Sequence, residues 1–89
     1  MFTYKTKGVC STEIRLEIEN NTIKNVEFER GCVGNLLGIS ALVKNMSIDE
    51  AINKLKGIDC RGKGTSCPDQ LAKALVEYKT NRYITLLIR

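Results

Sequence analysis

Histidine and tryptophan are absent from this 89-residue chain, and proline occurs once. Without an imidazole, a soft-donor metal site would have to rest on thiolates. No dinucleotide-binding glycine fingerprint and no complete Walker loop is present, so neither common nucleotide pocket is encoded. Gly62-Lys63-Gly64-Thr65 matches a phosphate loop only in part, and a ligand-bearing loop fits it better. The longest apolar stretch, Ile84-Thr85-Leu86-Leu87-Ile88, is too short to cross a membrane. The opening Met1-Phe2-Thr3-Tyr4-Lys5 lacks the basic start and apolar run of a secretory signal, so a cytoplasmic location is expected. In that reducing compartment disulfides are disfavoured.

What is present is an ordinary globular composition: 43% apolar and 27% charged residues argue against both disorder and a fibrous repeat. So short a chain makes a single domain over 1–89, with a core over about 1–80, an apolar tail over 81–89 and room for one site. The net charge of +4 is mild and its bases are scattered, so Arg61, Lys63, Lys73 and Lys79 read as a solvated face rather than a nucleic-acid interface. The tail has several readings: an extension of the last helix, an edge strand, a disordered tip or a cover for a partner, including a homodimer through the tail.

Phe2 to Lys7 alternates aromatic and polar residues and suits a first strand. From Thr12 to Glu19, Ile14, Leu16 and Ile18 fall on one face while Glu13, Arg15, Glu17 and Glu19 fall on the other. Asn20-Asn21 supplies a turn, and a third strand runs from Thr22 to Arg30 with Val26 and Phe28 facing in. After Gly31-Cys32-Val33-Gly34-Asn35, the span Leu36 to Asn45 is apolar without alternation and reads as a buried helix, with Leu36, Ile39 and Val43 inward. Ser47-Ile48-Asp49-Glu50 is a capping box opening an amphipathic helix of Ile48, Ala51, Ile52 and Leu55 that Gly57 closes. Pro68 suits a first helical turn, and Leu71, Leu75 and Tyr78 continue a last helical stripe. Strands first and helices after imply an α+β fold: a three-stranded antiparallel meander followed by about three helices packed on one face.

Four cysteines punctuate this plan: Cys10 before the second strand, Cys32 at a strand-to-helix junction, Cys60 in a glycine-rich loop and Cys67 at a helix start. Each lies in an irregular segment, whereas buried structural cysteines sit inside the periodic pattern. The loops of such a fold can converge at one end of the sheet, as a tetrahedral site requires. The spacing C-x21-C-x27-C-x6-C contains no C-x-x-C knuckle, so sequence-local zinc signatures are missing. Four thiolates without histidine nevertheless suit a closed site for zinc or an iron-sulfur cluster. A helix N-terminus with Arg61 and Lys63 nearby would favour the thiolate of Cys67. Ser66 and Asp69 suit a helix cap or a hydrogen bond behind the ligands rather than ligation. Unrelated reduced thiols, and a redox pair of Cys60 and Cys67, are the competing readings.

Thr65-Ser66-Cys67-Pro68-Asp69 gives the TSCPD domain family its name, and Lys7-Gly8-Val9-Cys10, Gly31-Cys32-Val33-Gly34-Asn35 and Asp69-Gln70-Leu71-Ala72-Lys73-Ala74-Leu75 also resemble that family, nearly to Tyr78. The family occurs as small free-standing proteins and at the C-terminus of cobalamin-dependent ribonucleotide reductases. The resemblance implies metal binding through Cys10, Cys32, Cys60 and Cys67 and an association with ribonucleotide reduction, including a ribonucleoside-diphosphate reductase label. A more distant likeness runs to the NifU/IscU iron-sulfur scaffolds and implies a SufE/NifU-like fold, with Cys10, Cys32 and Cys67 at the cluster positions. Thr12 and Ser66 stand where those scaffolds carry an acid and a histidine, and Cys60 is additional. A fourth thiolate in place of labile ligands argues for a permanent structural or electron-carrying site.

Ribonucleotide reduction needs a radical generator, a nucleotide pocket and a protected thiol pair, which 89 residues cannot house together. The expected function is therefore a metal-binding accessory domain of a larger enzyme such as a ribonucleotide reductase, not catalytic by itself. An iron-sulfur scaffold and a stand-alone thiol redox protein are the alternatives.

Overall fold

Alternation of apolar and charged side chains builds three antiparallel strands, β1 (Phe2–Lys5), β2 (Glu13–Glu19) and β3 (Thr22–Glu29), in the order β1-β2-β3. The computed structural model describes every residue except Met1, Cys10, Cys32, Cys60, Arg61, Lys63 and Arg89, and the backbone alone of Val33 and residues 82–88. Phe2 pairs with Leu16, Tyr4 with Ile14, Ile14 with Phe28 and Leu16 with Val26, so these side chains share one apolar face. The opposite face carries Arg15 between Glu13 at 2.7 Å, Glu27 at 3.3 Å and Glu29 at 3.5 Å. Asn20 and Asn21 both adopt positive φ, the mirror-image turn whose twist matches a tight hairpin.

Pairing slips between Glu17 and Ile18: Glu17 opposes Asn25 while Ile18 opposes Ile23, leaving Lys24 as the extra residue of a bulge. Ile23 thereby joins Val26 on the buried face although an odd number of positions separates them. Strict alternation would have turned one of the two outward.

Three helices follow, α1 (Val33–Val43), α2 (Ile48–Leu55) and α3 (Cys67–Ile88), giving the expected α+β order. They cover the apolar face: Val43, Ile48, Ala51, Leu71, Ala74 and Leu75 pack with Ile14, Leu16, Ile23 and Val26, and Phe2 meets Tyr78 edge to face at 5.6 Å. Ser47 caps α2 by accepting the Glu50 amide at 3.2 Å. Asn45 and Met46 exchange backbone hydrogen bonds with Ile23, which tie the α1–α2 connection to the start of β3.

Two expectations need correction. The first helix begins at Val33, not Leu36, because Arg30 and Gly31 with positive φ complete the reversal early. Its inner face is Leu36, Ile39 and Val43 as expected, but the helix is not buried on its other side, where Leu37 and Leu42 are 65% and 73% exposed. Among the strands, α1 packs chiefly against β3, so only one of its sides is covered. The apolar tail adopts the first of its four readings, since α3 continues to Ile88. Among the described residues no helix is long and apolar enough to cross a membrane.

Candidate functional site

Three cysteine-bearing stretches meet at Ser11. The β1–β2 connection is closed by the Thr6 amide on the Thr12 carbonyl at 3.2 Å and by the Thr6 hydroxyl on the Ser11 carbonyl. This closure holds Ser11 inside the protein at 2% exposure. Its hydroxyl lies 3.3 Å from Cys67 Sγ at the first turn of α3. Gly31 comes in from the end of β3 with φ +101°, and a Cβ there would stand 3.3 Å from the Ser11 amide and 2.7 Å from Leu36. Only glycine accommodates both the left-handed backbone and that approach. The neighbours of positions 10 and 32 are thus packed together, and one of them touches Cys67.

The fourth stretch is fastened to the same end of α3. Ser66 donates to the Ile58 carbonyl at 2.6 Å and accepts the Asp69 amide at 3.1 Å, so one hydroxyl closes the α2–α3 loop and caps α3. Asp69 reaches across: its carboxylate accepts the Gly57 amide at 2.7 Å and the Thr65 hydroxyl at 2.6 Å, with Lys73 at 3.3 Å. Gln70 donates to Thr65 Oγ1 at 3.0 Å and accepts the Lys7 amide at 3.1 Å, joining this loop to the β1–β2 connection. Thr65, Ser66, Asp69 and Gln70 are all buried, and among the described residues no buried side-chain nitrogen or oxygen lacks a partner. The Thr65 hydroxyl, followed by the Gly57 amide and Lys73, holds the Asp69 carboxyl below its ordinary range against the opposing effect of burial. Within the glycine loop the Asp59 carboxylate accepts the Gly62 amide at 2.7 Å and the Gly64 amide. Those amides are engaged internally rather than presented to a phosphate.

Of the sequence-derived site residues, Cys67, Ser66 and Asp69 sit together at the N-terminus of α3. Ser66 supplies the cap, while Asp69 braces the loop through its carboxylate. Cys10, Cys32 and Cys60, with Arg61 and Lys63, lie outside the described residues. Cys67 is free, and among the described residues no three of Cys, Asp or Glu gather at metal-binding distance. Sequence reasoning left Ser11 unassigned because it lies in an irregular segment with no periodic signal. Gln70 was overlooked because it adjoins a helical stripe and resembles an ordinary surface position.

The architecture defines a small α+β domain in which Ser11 meets the N-terminus of the longest helix at Cys67, Gly31 packs against Ser11, and Gly57 is bound by Asp69 of that helix. A family model for the TSCPD domain matches residues 2–79, and the chain belongs to that family. No curated protein and no solved structure matches it. The match ends at residue 79, while α3 runs on to Ile88.

Proposed function

We propose that this chain is an accessory domain that holds zinc or an iron-sulfur cluster through Cys10, Cys32, Cys60 and Cys67 and serves ribonucleotide reduction beside a larger reductase. The observation that carries this reading is the convergence on Ser11, where the loop containing Ser11, the glycine following Arg30 and the thiol of Cys67 come together. Four thiolates without histidine fit a soft metal, and the one described thiol is neither paired in a disulfide nor fully exposed. Bound there, zinc would staple the loops, whereas an iron-sulfur cluster would also carry an electron.

The chain's own residues supply positioning. With Cys67 ionised, the Ser11 hydroxyl donates to its sulfur, orienting the thiolate and offsetting its charge. Asp69 binds Gly57 and Thr65 on either side of position 60, and Asp59 ties Gly62 and Gly64. These braces fix the length and direction of the loop leading into Cys67. The family's association with ribonucleotide reduction supports the choice of a reductase as partner.

Metal analysis of anaerobically purified protein tests the first half, with about one zinc or one cluster per chain expected. Metal-free protein with a reversible Cys60–Cys67 disulfide would favour the redox alternative instead. Ribonucleotide turnover by the isolated chain would overturn the accessory role.

A further inference from the structure

β3 is an edge strand, and the chain itself shows what that edge can bind. Ile23 turns its backbone outward, where its amide donates to the Met46 carbonyl at 2.9 Å and its carbonyl accepts the Asn45 amide at 2.7 Å. Thr22 forms an antiparallel bridge with Ser47, so the α1–α2 connection lies against the first residues of β3 as a short added strand. In a strand the side-chain face and the direction of the backbone groups alternate together. Ile23, Val26 and Phe28 share the apolar face across the bulge, so Val26 and Phe28 also aim their amides and carbonyls outward. Glu29 fits this phase, because its carbonyl points inward to the Thr12 amide at 2.9 Å. Among the described residues, no segment pairs with β3 on its outer side beyond Ile23.

A groove of about 330 Å³ lies between this strand and α1. Val26, Phe28 and Leu37 form its apolar part, while Arg15, Glu27, Arg30 and Ser40 make the rest polar. A strand added to β3 would place the side chains opposite Val26 and Phe28 in the groove against the exposed Leu37, and the intervening ones on the open face of the sheet. On that face Glu13 meets both Arg15 and Lys5, whereas Glu27 and Glu29 share Arg15 between them and are half exposed. A lysine or arginine between the two apolar residues would lie beside Glu27 and offset that excess of negative charge. A second copy is the wrong occupant. Laying β3 antiparallel on β3, with Val26 opposite Phe28, would set Glu27 directly against the Glu27 of the other copy.

We infer that the outer edge of β3 accepts an extended segment of a partner protein as an added strand, one in which apolar residues alternate with lysine or arginine. Backbone bonds to Val26 and Phe28 set its register, the groove takes the apolar side chains, and Glu27 with Glu29 selects the cations between them. The α1–α2 connection at Ile23 bounds the site on one side and the reversal at Gly31 on the other. The added strand is therefore short, and its affinity is that of a docking contact rather than a permanent joint. No cysteine takes part, so the interaction holds whether or not the thiols bind metal.

Nuclear magnetic resonance titration of the full chain with a capped peptide of about ten residues, alternating valine and lysine, tests this. The amides of Val26 and Phe28 should shift and exchange more slowly with solvent as the peptide binds, with Kd of about 100 µM. A valine–glutamate peptide should bind roughly tenfold more weakly, and Glu27→Lys should reverse that preference. Methylating the valine nitrogens of the valine–lysine peptide should abolish binding, because it removes the bonds to the edge while keeping the charge. Leu37→Ser should weaken binding roughly fivefold. Absence of binding at about 1 mM peptide, shifts confined to other segments, or equal binding of the glutamate or methylated peptides would overturn the proposal. Protection of Val26 and Phe28 that rises with protein concentration alone would assign the edge to a second copy and overturn it too. Should Glu27→Lys fail to fold, the peptides compared on wild type still decide.

Discussion

The two ends of α3 are built on opposite terms. At its start, Ser66 and Asp69 hold the α2–α3 loop at Ile58 and Gly57 while Gln70 holds the β1–β2 connection at Lys7, so two loops are fastened to one helix end by directed hydrogen bonds. At its far end the helix runs on through the apolar sequence Ile84-Thr85-Leu86-Leu87-Ile88. Hydrogen bonds are directional and penalise an unpaired buried partner, whereas apolar burial is tolerant of shape. The first end therefore fixes the geometry of a site within the chain, while the second adds apolar length to the helix.

The comparison breaks most severely at Asp69. Asp69→Ala leaves the Gly57 amide and the Thr65 hydroxyl without their acceptor, and should cost about 3 kcal/mol in denaturant unfolding. Gly31→Ala comes next, at about 2 kcal/mol, because its Cβ would meet Leu36 at 2.7 Å in a left-handed backbone. Gly57→Ala, also at positive φ but with open space around it, should cost only about 1 kcal/mol.

A pH series sharpens the same contrast. The native pKa of Asp69 is depressed, chiefly by the Thr65 hydrogen bond, from an ordinary value of 3.8. Its contribution to stability is complete above the unfolded pKa and is lost as pH falls through the lower folded one. Stability should decline as acid is added below about pH 5, and Asp69→Asn should remove that component of the slope. Ser11→Ala, which deletes the contact to Cys67, should likewise cost about 1 kcal/mol. At the outward apolar side, Leu42→Ala should alter the stability of the monomer by less than about 0.5 kcal/mol.

The strands were legible because Ile14, Leu16 and Ile18 keep period two, and α2 because Ser47 and Glu50 announce its start. The bulge at Lys24 was not, since a single inserted residue leaves no compositional mark and shows itself only in the pairing of Ile18 with Ile23. The sequence Gly31-Cys32-Val33-Gly34 looked like a loop, yet the helix starts inside it because the reversal is complete by Gly31. Apolar density in α1 implied burial, but density cannot say how many surfaces surround a helix. At the site, Cys67, Ser66 and Asp69 stood out through the pentapeptide. Ser11 and Gln70 did not, because their importance comes from contacts between segments distant in sequence.

The most direct measurement is the metal content of anaerobically purified protein carrying Cys10→Ser, Cys32→Ser, Cys60→Ser or Cys67→Ser, each beside wild type and Ser11→Ala. A four-thiolate site requires about one zinc or one cluster per wild-type chain, retention in Ser11→Ala and loss in every cysteine variant. Wild type without metal, or full retention after any one of the four cysteine substitutions, would contradict it.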